Sequence, residues 1–302
     1  MSDSSTLDRV YPFIGRHRGH QAAVVIAALL PLTLLAFGIV WAWGWGVTWL
    51  DLALLFVFQG IAGLGITVGY HRLLAHGAFK APKVVRGILL VMGLSALQGS
   101  PASWAATHRR HHAAADRPGD PHSPLEGFWH AHFGWLPKGN LVHSGPGHEK
   151  LMADPVVAFL ERTQWFWLVG SLLAPGFVAL AITGGSWGAF ASASLWAGGV
   201  RVLLVHHVTW SINSVCHVWG TRPYTTTDQA RNNVIFGLLG FGEGWHNNHH
   251  AHPRSAYLGH RWYQIDAGGY LVRTLKLLGL AKDVQRPPVA SARSRDTTAA
   301  TS

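Results

Sequence analysis

The chain has 302 residues, 49% of them hydrophobic and only 13% charged, with fifteen tryptophans and a formal net charge of +10. The charged share is about half that of an average soluble domain, which excludes an ordinary water-soluble fold and points to a membrane protein. Its single cysteine, Cys216, excludes an intramolecular disulfide and reads as a small buried residue, and no aromatic-interleaved basic domain accompanies the positive charge, so nucleic acid is not an expected partner.

Residues 1–20 are polar and carry Arg9, Arg16 and Arg18, which suits a cytoplasmic N-terminal segment. The apolar run at 21–43 follows, too long for the core of a signal peptide and therefore expected as a retained span. Trp41, Trp43, Trp45 and Trp49 cluster in the short uncharged turn after it, as aromatics do at a membrane–water boundary. A second span, 47–70, ends directly at His71, with Asp51 near its outer end and within reach of lipid headgroups. The apolar piece at 84–97 is too short to cross a hydrocarbon layer of ~30 Å at ~1.5 Å per residue, so it is expected along the interface or beneath the histidines. Two further spans, 164–183 and 186–210, are joined by Gly184-Gly185.

These elements predict an all-α, polytopic membrane protein with four transmembrane helices and a cytoplasmic helical cap that carries the histidine-rich segments. The membrane domain is expected over 21–280, with 281–302 a disordered tail. Of the 24 Lys and Arg, three precede residue 21, ten lie in 71–163 and eleven lie from Arg201 onward, while the two intervening turns have none. The positive-inside rule then puts both termini and every histidine packet on the cytoplasmic side, in what is expected to be a bacterial cell membrane. A basic face of this kind also attracts anionic lipid heads or the phosphates of a coenzyme-A ester.

The histidines carry the chemistry. His246, His249 and His250 stand at i, i+3 and i+4, so a helix would project three imidazoles from one face. His108, His111 and His112 repeat the spacing, and His71 and His76 stand five apart. His17, His20, His130, His132, His143, His148 and His260 read instead as ordinary core or interfacial residues. At the cytoplasmic end of the fourth span Asn213 and His217 lie four apart and point toward the same layer. Nine imidazoles and no C-x-x-C pair suit two irons best. Nine neutral ligands around two ferrous ions leave a formal +4, so carboxylates must accept the outer N–H groups. The nearest in sequence are Glu243, Asp116, Asp120 and Asp228, with Asp120 and Glu243 favoured.

The motifs H-R-L-L-A-H at 71–76, W-A-A-T-H-R-R-H-H at 104–112, D-P-H-S at 120–123, G-F-W-H-A-H-F-G-W-L at 127–136, T-W-S-I-N-S-V-C-H at 209–217, R-P-Y at 222–224 and G-E-G-W-H-N-N-H-H at 242–250 resemble, in order and spacing, the integral-membrane acyl desaturases of the Δ9, stearoyl-CoA type. The resemblance covers roughly residues 50 to 280. It implies a di-iron centre ligated by His71, His76, His108, His111, His112, His217, His246, His249 and His250, with Asn213 near one iron through water. It implies oxygen-dependent insertion of a cis double bond into a saturated acyl chain, with O2 as co-substrate. Trp104 and Trp210 fall within the matched motifs and are expected along the substrate tunnel. No haem-binding His-Pro-Gly-Gly stretch is present, so a separate electron donor of ferredoxin or cytochrome b5 type, with its reductase, is expected. Ala106 and Thr107 stand where vertebrate members carry charged residues, which leaves acyl-lipid and carrier-protein esters open beside acyl-CoA.

Two other readings fit parts of the chain. A membrane di-iron hydroxylase of fatty acids or alkanes would use the same kind of site, and the motifs at 209–217 and 242–250 argue against it. A His-rich metal transporter would need polar ligands in mid-span, where only His206, His207 and Arg201 interrupt the apolar runs. On the second span Gly60 and Gly63 share the face of His71 at helical spacing, with Gln59, Leu64 and Thr67. They predict a groove for the far end of the acyl chain, or else close helix packing.

Overall fold

The computed structural model describes residues 4–15 and 18–288. The expectations for His17 and for the tail from 289 onward lie outside the described residues, as does the side chain of His20. Among the described residues the fold is helical throughout, and its only β pairing is a few isolated bridges.

Helix α1 (Ser4–Val10) is short, and α2 (Arg18–Trp45) follows with Pro31 inside it. Thr48 and Asp51 form a reciprocal capping box that starts α3 (Trp49–Leu64), Asp51 N–H donating to Thr48 Oγ1 at 3.2 Å and Thr48 N–H to Asp51 Oδ2 at 2.9 Å. Asp51 was expected to reach the headgroups. It is buried instead, because Ser192 Oγ also donates to it at 2.9 Å, so it ties two helices together. The chain continues without a break into a π-helical segment, Gly65–Ala75. After it come α4 (Lys83–Leu94) and α5 (Pro101–Ala114), the latter with proline in its first turn, where no backbone donor is lost. A 3-10 turn at Pro124–Glu126 and a short π turn at His130–Gly134 lead to α6 (Pro146–Met152). Asp154 caps α7 (Pro155–Ile182), accepting from Val156 N–H at 2.9 Å. Next, α8 (Trp187–Ala193), the π segment Ser194–Val200 and α9 (Arg201–Val218) form one continuous helical rod. The cap is completed by α10 (Val234–Leu239), α11 (His246–Ala251) and α12 (Ala267–Leu277).

Three of these rods are long and apolar enough to cross a membrane: Trp49–Ala75, Pro155–Ile182 and Trp187–Val218. Their outward residues, among them Phe56, Val57, Phe166 and Val169, are exposed, as contact with lipid chains requires. The expected span at 21–43 falls within α2, whose described apolar stretch is Leu29–Ala42. This helix packs on the last rod at small residues, Gly38 against Trp196 and Val200, and Gly199 against Leu34. The expected span at 47–70 runs on to Ala75, so His71 of the first histidine packet lies on the rod and His76 caps its end.

Helix α4, from the piece too short to span, lies directly beneath that packet. A Cβ added at Gly65 would fall 2.1 Å from Gly93 N, and one at Gly69 would fall 2.4 Å from the Leu89 carbonyl oxygen, so the two backbones touch. The buried cluster of Tyr70, Leu90, Leu94, Ala102, Ala105, Ala106 and Leu160 fills the space between α4, α5 and α7. Three alanines on one face of α5 let the histidine-bearing helix approach this closely.

Candidate metal centre

The π-helical segment explains the H-x-x-x-x-H spacing. In an α-helix residues five apart are rotated by about 140°, whereas the i→i+5 repeat of a π-helix returns them to nearly the same face. The His76 N–H donates to the His71 carbonyl at 3.0 Å, closing that repeat, and both rings turn toward α5 and α11.

Nine histidines gather in two groups. His71, His76, His108, His112 and His249 form one, and His111, His217, His246 and His250 form the other, with the potential ligand atoms of each group all within 4.8 Å of one another. The Nε2 atoms point inward. In the first group His71 meets His249 at 3.0 Å, His76 meets His108 at 2.8 Å, and His249 meets His112 at 2.8 Å. In the second, His246 meets His217 at 3.0 Å and His111 meets His250 at 3.4 Å.

The outer nitrogens show what these contacts mean. His111 Nδ1–H donates to Asp120 at 2.9 Å, His250 Nδ1–H to Asp228 at 2.9 Å and His217 Nδ1–H to Asp116 at 3.0 Å, while His71 Nδ1 lies 2.7 Å from Glu243 Oε2. A neutral imidazole that donates from Nδ1 presents a lone pair at Nε2. The inward contact between His111 and His250 therefore sets two lone pairs 3.4 Å apart, an arrangement that repels unless a cation lies between them. Ligand atoms about 2.1 Å from one ion stand about 3 Å from each other, the separation seen in both groups. The donor set fits two metal ions. Two divalent ions on nine neutral imidazoles would carry a formal +4, and Asp116, Asp120, Asp228 and Glu243 offset it with four negative charges.

The electrostatics keep most of the rings neutral. Burial, and after it the neighbouring imidazoles, holds His108, His112, His246, His249 and His250 well below the ordinary histidine range, and the same holds for His76, where Arg109 adds to the effect. His111 is the exception. Burial, the largest single cause, disfavours its charged form, but the carboxylates of Asp120, Asp116 and Asp228 together outweigh burial and raise its pKa. Burial would raise the Asp120 carboxyl, yet the hydrogen-bonded His111 holds it well below the usual range.

An apolar cavity opens against both groups. Its walls include Ile66 of the first rod, Trp104 and His108 of α5, Ile212 and Asn213 of α9, and His246 of α11. Trp104 stacks on His108 at 5.2 Å and its indole N–H donates to Gln98 Oε1 at 3.3 Å, while Gln98 Nε2 donates to Thr209 Oγ1 at 2.8 Å. This hydrogen-bonded chain fixes one wall of the cavity.

The fatty acid desaturase family model matches residues 47–275. The chain belongs to that family. It is 43% identical over 250 residues to Delta-9 acyl-lipid desaturase 2 of Arabidopsis thaliana, covering 82% of this chain and 78% of that one. It is 38% identical to icosanoyl-CoA 5-desaturase of Limnanthes douglasii, over 90% of this chain and 74% of that protein. A hex-5-enoyl-[acyl-carrier protein] acetylenase of Moorena producens (strain JHB) is also 38% identical, over 81% and 80% of the two chains. The activity common to this group is oxidation of a fatty acyl chain, so the protein is a membrane oxidoreductase whose family implies a metal centre.

In this desaturase the residues expected around the site fall as follows. All nine expected ligand histidines lie in the two groups, and Asn213 lies on the cavity wall beside them. Asp120 and Glu243 both contact ligand-type histidines, but so do Asp116 and Asp228, which were not the favoured pair. His122 was not singled out. It packs 4.4 Å from the His111 ring and 3.9 Å from Asp120, with burial first among the causes that lower its pKa to about 3. The D-P-H-S motif was the available signal. Of the expected tunnel residues, Trp104 and Gly63 line the cavity, whereas Gly60 faces open space. Trp210 is not among the lining residues and packs instead against His132, His206 and His207. His206 Nε2 donates to the Ala96 carbonyl at 2.9 Å, and His132 joins Ser214 to His207, so these histidines serve contacts between elements.

Proposed function

We propose that this desaturase inserts a cis double bond at the Δ9 position of a saturated acyl-CoA, using a di-iron centre held by the nine histidines. The observation that carries the reading is the pair of converging histidine groups opening onto one apolar cavity. Two irons would supply the oxidising power for removing two hydrogens from neighbouring carbons, with O2 as oxidant and two external electrons completing its reduction to water.

The chain's own part is to hold, orient and exclude. The carboxylates fix each outer N–H and so keep the inward nitrogen free to ligate. Asn213 stands where it can hold a water against the four-histidine group. The cavity walls keep solvent away from the acyl chain while it is oxidised. Iron is favoured over zinc because the reaction is a redox step, which zinc, having no accessible change of oxidation state, cannot supply, while imidazole donors suit iron as well. The cytoplasmic face is assigned from the distribution of Lys and Arg, and the electron donor, of ferredoxin or cytochrome b5 type, would approach from there.

The two readings of the headgroup rest on different observations. The basic cytoplasmic segments suit the phosphates of coenzyme A, and three relatives at 38–40% identity are named for acyl-CoA substrates. The relatives at 43% identity are named for acyl-lipids, which supports a phospholipid-bound chain as the second reading. Purified, iron-loaded protein with a reductase and donor should convert stearoyl-CoA to its Δ9 product in detergent. Conversion only of acyl chains already esterified in phospholipid would overturn the acyl-CoA assignment. Bond insertion elsewhere would overturn the position.

A further inference from the structure

We propose that Phe241 is a selectivity residue of the acyl channel, its ring seated on Gly63 so as to close the side of the channel that faces α10 and the surrounding lipid. This rests on the reading of the cavity as the acyl-binding channel.

Three observations converge on the residue. Phe241 has φ +55°, a left-handed conformation that a bulky side chain rarely adopts and that the adjoining glycines would accept more readily. Its backbone is held in that state at both ends, Phe241 N–H donating to the Leu238 carbonyl at 3.3 Å and Gly268 N–H to the Phe241 carbonyl at 2.9 Å. A strained aromatic kept between Gly240 and Gly242 indicates that the ring itself is required at that place.

The ring's seat is equally specific. A Cβ added at Gly63 would fall 2.2 Å from Phe241 Cε2, so the ring occupies the volume that any other residue at 63 would need. Gly63 lies eight residues, about two helical turns, before His71, which puts the ring beside the part of the channel beyond the reacting carbons. Beyond the ring is a way out. Leu239 lines the cavity and is 52% exposed, and with Ile235 and Leu238 it gives α10 an apolar outer face. Without the ring, the channel would open sideways onto that face and a longer chain could leave through it.

The expected consequence is a change in chain-length selection with no movement of the double bond, since the histidines do not move. In Phe241→Val, the relative rate with chains two to four carbons longer than the wild-type optimum should rise about tenfold, the scale of discrimination that one or two methylenes carry in an apolar pocket. Gly63→Ala should push the ring into the channel and shift preference to shorter chains, and Gly63→Ala combined with Phe241→Val should return the profile toward wild type. The measurement is mass spectrometry of products from purified, iron-loaded proteins given a ladder of saturated acyl-CoAs, with iron per chain recorded for each variant. A Phe241→Val protein with wild-type iron content and an unchanged length profile would overturn the proposal, as would a displaced double bond. If Gly63→Ala does not accumulate, Phe241→Val and Phe241→Leu decide the question by the same two criteria. A wild-type protein that oxidises no acyl chain in any ester form would overturn the reading of the cavity, and this proposal with it.

Discussion

His249 is the side chain on which the five-histidine group turns, because its Nε2 meets both His71 at 3.0 Å and His112 at 2.8 Å. It lies on α11, which is not one of the membrane rods, so truncating it removes a ligand without removing a membrane-crossing element. His249→Ala should therefore insert and accumulate normally, lose acyl oxidation, and retain about half the iron of wild type, since the four-histidine group keeps all its members. Iron per chain by elemental analysis checks this, and full activity in the variant would refute the assignment. Six of the nine histidines were legible because i, i+3, i+4 spacing is a local property of the chain, whereas His71 and His76 stood out by a five-residue spacing and His217 by its place four residues after Asn213. Their carboxylate partners were legible only in part. Asp120 follows His111 by nine residues, whereas Asp116 meets His217 across a separation of 101, a pairing that only the folded chain creates.

At the scale of elements, the π-helical end of the first rod does the least expected work. Five-residue spacing of His71 and His76 conflicts with an α-helix, and the sequence alone offered no resolution. The conflict is settled by tertiary contact, because Gly65 and Gly69 let the α4 backbone press against the rod where the helix widens. The register of this segment is thus a ligand-positioning feature. Inserting one alanine between Leu74 and Ala75 should carry His76 around the helix and away from His108, which it now meets at 2.8 Å. The five-histidine group would then lose a ligand and most of its metal, while the four-histidine group, which draws nothing from this rod, would stay loaded. An inserted variant that still binds two irons per chain would show that the π geometry is incidental. Three of the four expected spans were legible from hydropathy, but their extents were not. All three rods run on as helix past the expected apolar stretch, the first to Ala75, the second from Pro155 and the third to Val218, where packing rather than lipid holds them.

For the molecule as a whole, the site buries many imidazoles in their neutral form, and that gives it a definite response to acid. In the metal-free protein His76, His108, His112, His246, His249 and His250 all have pKa values lowered well below 6.5, with burial as the first cause. In the unfolded chain each would titrate near ~6.5. Below that pH the unfolded state binds more protons than the folded state, so folded stability must fall as pH falls. His111 works the other way: its pKa is raised, so it contributes stability below ~6.5 that is lost as pH rises through its folded value. Six groups outweigh one. The metal-free protein should therefore be most stable above about pH 7, and its melting temperature in detergent should drop steeply between about pH 6.5 and 5. Metal binding needs the same neutral nitrogens, so iron loading should raise the melting temperature most at neutral pH and progressively less as acid competes for the ligands. Thermal melts of metal-free and iron-loaded protein across pH 8 to 5 measure both effects. A metal-free melting temperature that is flat or rises toward acid would mean that these imidazoles are not held neutral by burial, and that the two groups are more open to water than their geometry implies.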